Sequence, residues 1–412
     1  MIDPSIGYGE QLRSRAETLA TVCVHAGEVP GPEGWLDPPI VMSSAFAFES
    51  AGHAARAFRG EEDAWIYGRW GNPTVAALEA KLAAIEGAEV ACATASGMAA
   101  ISGAVMALCE SGDHIVAPRS MYAESARLFR ERLPKLGITT TFVDGTPEAY
   151  AAAMTPRTRI LYVETPANPT LGVIDIAAVA ALAARAPNAS GRATVIADGT
   201  FATPFAQTPL ASGADLVVHS MTKGISGHGD VIAGVVAGGD ELVTRVRDTV
   251  VKGFGGVLSP MSAWLVARGL RTFPLRQERA CATAAALAAH LAAHPRVARV
   301  FHPSLSTHPG HALAQRQMFA YGALLSFEVA AGAGTGDAIE YGRTVLESLR
   351  IATHAVSLGD VRTLVVHPAS TTHSTMPPEA RRLAGIGDGL LRVSCGLEGT
   401  ADLLADFDRA LG

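Results

Sequence analysis

The chain has 412 residues, 49% of them hydrophobic and 17% charged, with a formal net charge of −6. That length exceeds one hydrophobic core, so more than one packed unit is expected, and the composition excludes a disordered scaffold. No basic stripe with interleaved aromatics points to nucleic acid, and no run of apolar residues is long enough to predict a membrane-spanning helix.

Up to Arg15 the chain carries Glu10 and other polar residues but no apolar stretch, so a signal sequence is not expected and a cytoplasmic enzyme is the default. Residues 1–65 are broken by Pro30, Pro32, Pro38 and Pro39. They read as an extended segment lying over a neighbouring domain or subunit. Five scattered cysteines, Cys23, Cys92, Cys109, Cys281 and Cys395, have no metal-ligand spacing and read as small buried residues in a reducing compartment. No metal is expected.

From 66 to 270, β-branched runs alternate with alanine-rich helical runs. Arg159 to Glu164, Thr194 to Ala197, Asp215 to His219 and Val231 to Ala237 read as strands, and Ala99 to Leu108 and Ile176 to Ala186 as helices. This alternation predicts an α/β domain with a mainly parallel sheet covered on both faces. From 271 to 412, an alanine-rich helix through Ala293 is followed by strands at Gly322 to Val329 and Leu391 to Ser394, which predicts a smaller α+β domain.

Ligands of parallel sheets bind beyond the carboxyl ends of the strands. Asp198 follows one strand, Ser220-Met221-Thr222-Lys223 follows another, and Ser96-Gly97-Met98 opens a helix. Each feature alone is common: a lysine after a strand is usually a surface charge, and Ser-Gly before a helix usually only caps it. In combination they match pyridoxal phosphate. Its aldehyde needs an amine, Lys223, and its ring nitrogen needs a carboxylate to stay protonated, Asp198. Its phosphate needs a helix N-terminus, Gly97 and Met98, with hydroxyls from Ser220 and Thr222.

Three further motifs join Ser220-Met221-Thr222-Lys223: Tyr67-Gly68-Arg69 with Gly71-Asn72-Pro73-Thr74, Glu164-Thr165-Pro166-Ala167-Asn168-Pro169, and His367 through His373. With these the chain resembles, over nearly its full length, the Cys/Met-metabolism family of pyridoxal-phosphate enzymes, most closely its methionine γ-lyase branch. The resemblance implies a fold-type I transferase of the aspartate-aminotransferase kind, with a seven-stranded sheet. It implies Lys223 as the Schiff-base lysine, Asp198 at the ring nitrogen, Asn168 near the ring hydroxyl and Tyr122 stacked on the ring, managing the leaving-group proton. It implies Arg392 on the substrate carboxylate, with Ser357 in the adjoining loop. Tyr67 and Arg69 would reach the phosphate of a neighbouring subunit, in a tetramer built from dimers. The implied activity is γ-elimination or γ-replacement on a γ-substituted L-amino acid through a vinylglycine-type intermediate. Cystathionine or cysteine lyase chemistry and a non-catalytic cofactor-binding protein are the alternatives.

Three positions depart from the family pattern. Ala123-Glu124 stands where two glycines, or glycine and cysteine, are usual. Lys252-Gly253 replaces a Lys-Asp pair, and Asp198-Gly199-Thr200 replaces Asp-Asn-Thr. Glu124 is expected beside the substrate side chain, where its charge would suit a cationic or strongly polar γ-substituent. Cys395 beside Arg392 has no base next to it, and His228 and His373 read as structural.

Overall fold

The computed structural model describes all residues except 1–5, 32–33, 189–190, 331–336, 375 and 384, so Pro32 lies outside the described residues. Seven strands form the first sheet: β1 (Val90–Thr94), β2 (His114–Pro118), β3 (Thr139–Val143), β4 (Thr158–Glu164), β5 (Thr194–Asp198), β6 (Leu216–Ser220) and β7 (Gly234–Gly238). Their order is β1-β7-β6-β5-β4-β2-β3. Only β7 runs against its neighbours β1 and β6. The sheet is thus mainly parallel, as expected. β4, β5 and β6 are almost wholly buried because helical layers cover both faces.

The second sheet contains β8 (Val297–Phe301), β9 (Leu324–Val329), β10 (Thr353–His354), β11 (Leu364–Val366) and β12 (Leu390–Ser394), ordered β10-β11-β12-β9-β8. Side chains alternate along β12. Leu391 and Val393 enter the core of this unit. Arg392 and Ser394 take the opposite face, and Arg392 pairs in register with Ser326 of β9. The Ser326 hydroxyl donates to the Pro169 carbonyl at 2.7 Å, tying this face to the first sheet's loops.

The N-terminal stretch differs from the expectation of an irregular, extended segment. Tyr8–His25 is an eighteen-residue helix whose Leu12, Ala16, Leu19 and Cys23 are buried. That spacing of four, three and four residues draws one stripe along the helix. The stripe lies on the long helix Phe273–Ala292, with the Tyr8 and Tyr321 rings 5.1 Å apart. The prolines act only afterwards, where the chain leaves this helix. All five cysteines are buried and free.

Candidate active site

The parallel strands all end at one edge of the first sheet. β1 turns there into the helix Gly97–Leu108, β2 leads to Tyr122, and β4, β5 and β6 end at Glu164, Asp198 and Ser220. A cavity of about 400 Å³ opens over this edge and is closed on its far side by Ser357 and Arg392 of the second unit. Ten residues singled out from the sequence line it together: Gly97, Met98, Tyr122, Asn168, Asp198, Ser220, Thr222, Lys223, Ser357 and Arg392.

The phosphate end is built by close packing. Ser96 caps the helix by accepting from the Ala99 N–H at 3.1 Å, and its carbonyl accepts from Ala100. The N–H groups of Gly97 and Met98 remain for an anion. A Cβ at position 97 would meet the Ser220 Cβ at 2.7 Å, so only glycine lets β6 approach the helix end this closely. At the opposite end, Asp198 Oδ1 accepts from the Thr200 N–H at 3.0 Å and Oδ2 from the Tyr162 hydroxyl at 3.2 Å. These bonds fix the carboxylate with its charge facing the cavity.

Lys223 Nζ donates to Ser357 Oγ at 2.8 Å. Burial lowers the pKa of this amine, and the nearby Arg392 guanidinium lowers it further. Ser357 has a φ of +121°, a strained value for a residue with a side chain, in the loop that turns it toward the lysine. Its carbonyl accepts from Arg392 Nη2 at 2.8 Å, and Asn168 Oδ1 accepts from Nη1 at 3.1 Å.

Arg392 is buried, and among the described residues no acid pairs with it and its Nε has no hydrogen-bond partner. Burial pushes its pKa down to about 10. A buried guanidinium held only by neutral oxygens is half of an ion pair, and an anionic ligand completes it. This orphaned cation, the open helix terminus and the fixed Asp198 carboxylate all fit pyridoxal phosphate together with an amino-acid substrate.

Three predicted residues lie elsewhere. Tyr67 is exposed, and the Arg69 guanidinium sits 5.5 Å from its ring while donating to the Lys252 carbonyl. Neither lines the cavity of its own chain. Glu124 lies next to this cavity and not among its lining residues. As the second residue of the short helix Ala123–Arg127, it points into an adjoining chamber of about 500 Å³ that shares Ala123, Asn168, Thr372 and His373 with the cavity. Its charge still reaches Tyr122. Burial raises the phenol pKa, and Glu124 and then Glu164 raise it further, against Arg392.

The other departures have local causes. A Cβ at position 199 would meet the His219 ring at 2.6 Å, and that buried ring is locked 2.5 Å from Glu86 Oε1. Although Gly253 carries no acid, Lys252 finds one a turn earlier, Asp248, at 2.7 Å. Cys395 is fully buried and its thiol pKa is raised, which removes it as a nucleophile. His373 lines the cavity, but burial holds its pKa down to about 4, so it is neutral.

Sequence reasoning missed Glu164, quoting its motif but giving the residue no role. Its Oε2 accepts from the Tyr122 N–H at 2.7 Å and its Oε1 from the Asn168 N–H at 3.1 Å. The available signal was an acid closing the hydrophobic run Ile160 to Val163.

A family model described as Cys/Met metabolism PLP-dependent enzyme matches residues 20–412. An L-methionine gamma-lyase of Fusobacterium nucleatum subsp. polymorphum is 45% identical over 395 residues, covering 95% of this chain and 98% of its own. An O-succinylhomoserine sulfhydrylase of Pseudomonas aeruginosa is 41% identical over 395 residues, covering 95% of this chain and 94% of its own. The crystal structure of metB from Corynebacterium glutamicum superposes with a TM-score of 0.86 at 35% identity, covering 100% of this chain and 99% of that one.

Proposed function

We propose, from the premise that this chain belongs to the Cys/Met metabolism family of PLP-dependent enzymes, that it eliminates or replaces the γ-substituent of an L-amino acid with the residues gathered at the sheet edge. The observation that carries the reading is the unpaired, buried Arg392 beside the Lys223–Ser357 contact. When bound, pyridoxal phosphate supplies an aldehyde that condenses with amines and a cationic ring that accepts an electron pair from the substrate α-carbon.

The chain's own groups do the rest. Gly97, Met98, Ser220 and Thr222 hold the phosphate, and Asp198 holds the proton on the ring nitrogen. Arg392 grips the α-carboxylate with its planar fork. Lys223 Nζ, whose pKa is lowered by burial and then by Arg392, takes the α-proton while Ser357 Oγ steadies it. Lys223 Nζ, relieved of the first proton, also takes the second, from Cβ. Tyr122, whose phenol keeps its proton to high pH, donates it to the departing γ-group. Water then completes an elimination, or a nucleophile at Cγ completes a replacement. Mixing the enzyme with a panel of γ-substituted amino acids tests this. The expected product is 2-oxobutyrate with ammonia, or a γ-exchanged amino acid; pyruvate alone would overturn it in favour of β-elimination.

Tyr122→Phe should lower kcat about 100-fold with little change in KM, because it removes one positioned acid. The alkaline limb of the pH profile should disappear with it, since the raised phenol pKa places proton loss at the basic end.

The role of Glu124 is that of an electrostatic filter. It has a cation-binding charge but sits one chamber away from Lys223, so it should act on selectivity more than on rate. Glu124→Gly should lower kcat/KM for cationic γ-substituents about two- to fivefold relative to neutral ones, the range for a partly screened charge. An unchanged ratio in competition assays would remove it from the selectivity determinants.

Tyr67 and Arg69 serve the phosphate of a neighbouring copy in a tetramer of paired subunits. Trp65 and Phe58, two and nine residues before Tyr67, are exposed large apolar groups, and such a surface suits burial between subunits. Among the described residues, no helix is long and apolar enough to cross a membrane. A reducing cytoplasm suits the five free cysteines.

A further inference from the structure

Tyr162 lies on β4 two residues before Glu164, so the two side chains leave the strand on the same face. Its register partner on β5 is Ile196, which makes Asp198 its diagonal neighbour, within reach of an aromatic side chain. The phenol hydroxyl donates to Asp198 Oδ2 at 3.2 Å. The ring is fully buried, edge-on to Phe129 with centroids 5.1 Å apart, and does not line the cavity. Tyr162 therefore touches neither substrate nor cofactor and reaches the chemistry only through Asp198.

Among the described residues no cation pairs with Asp198. Its carboxylate accepts from the Thr200 N–H at 3.0 Å on Oδ1 and from the phenol on Oδ2. A protonated pyridine ring placed against this carboxylate can keep its proton or pass it to the oxygen. Buried surroundings favour the second state, because it carries no charges. The ring is then neutral and accepts electrons poorly. A hydrogen bond donated to the carboxylate works in the opposite direction, since it stabilises the charged form. Thr200 gives its bond from the backbone, so the phenol is the only side chain among the described residues that supplies one.

We propose that Tyr162 is a positioning residue that keeps the proton of the docked ring on its nitrogen by donating to Asp198 from behind the site. The inference rests on the reading that the cavity holds pyridoxal phosphate. Two features suit the phenol to the task. It takes the oxygen that Thr200 leaves, so the two donors fix the carboxylate plane and leave lone pairs facing the cavity. It also keeps its own proton: burial, then the charges of Asp198 and Glu164, raise its pKa well above the ordinary phenol value.

The test uses full-length enzyme stripped of cofactor and 4′-deoxypyridoxine 5′-phosphate carrying nitrogen-15 in the ring. This probe has the ring nitrogen and the phosphate but no aldehyde, so it cannot react with Lys223. Its nitrogen chemical shift reports where the proton sits. The wild type should hold the probe as a pyridinium, and Tyr162→Phe should move the shift toward neutral pyridine while still binding through the phosphate. On the cofactor-loaded enzyme, the same variant should lower kcat about tenfold, the low end for a hydrogen bond to a charged group, with KM unchanged because Arg392 is untouched. Equal shifts in the two proteins, even with a lower rate, would reduce Tyr162 to packing and overturn the proposal, as would a neutral ring in the wild type. If Tyr162→Phe does not fold, 3-fluorotyrosine in place of Tyr162 decides: it keeps ring and hydroxyl but donates more strongly, so the shift should pass beyond the wild type in the pyridinium direction, and no movement would overturn the proposal. A wild type that fails to bind the probe would instead overturn the cofactor reading itself.

Discussion

Replacing Lys223 with alanine should lower kcat about 10⁴-fold, the upper range for losing a positioned proton-transfer group. The loss has two sources. The amine that joins the cofactor is gone, and so is the base that takes the α-proton. These separate experimentally. The protein should still bind the phosphate and ring, because Gly97, Ser220 and Asp198 are untouched, but it should lack the covalent lysine adduct found after reduction and digestion. Small primary amines added in solution should restore part of the proton transfer. If Lys223→Ala kept more than about a hundredth of the rate without added amine, the assignment of the base would be wrong.

Arg392→Leu should cost about 30- to 4,000-fold in kcat/KM, the range for truncating one member of a buried, hydrogen-bonded charge pair. The guanidinium is buried and held by Asn168 Oδ1 and the Ser357 carbonyl, so the variant strands those acceptors as well as the substrate carboxylate. Arg392→Lys should recover only part of the loss, since an ammonium cannot grip both carboxylate oxygens at once. The variant also acts on Lys223. Arg392 is one of two causes that lower the lysine pKa, so removing the cation raises that pKa and moves the acidic limb of the pH–rate profile upward. Rate measurements across pH 6–9 on both variants check the two effects together. An unmoved limb would show that burial alone tunes the lysine.

The parts of the site legible in the sequence are those that local chain order dictates. Asp198, Ser220 and Lys223 follow short apolar strands within a few residues, and Gly97 stands at a strand-to-helix turn, so strand-end logic finds them without knowledge of the fold. Arg392 and Ser357 are different. They reach the same cavity from the second sheet, and an arginine in a strand reads alike whether it faces a ligand or an ion pair, so only family likeness pointed to them. The direction of the Glu124 side chain was not legible, because adjacency to Tyr122 in sequence does not fix it on the helix Ala123–Arg127, where successive side chains turn by about 100°. The first helix was hidden because its buried stripe is half made of Ala16 and Cys23, small residues that announce little hydrophobic contrast. Gly199 could be explained only once the His219 ring lay against it.

That first helix, Tyr8–His25, carries a consequence for how the molecule comes into being. Its seat is the helix Phe273–Ala292, about 250 residues later in the chain. At a synthesis rate of about 5–20 residues per second, the seat leaves the ribosome about 12–50 seconds after the helix that needs it. Throughout that interval the Leu12–Leu19 stripe lacks its main cover and can lean only on the earlier helices Pro73–Glu86 and Thr203–Ala206. The helix is made long before its seat, so over that stretch of synthesis part of its apolar face needs a temporary partner.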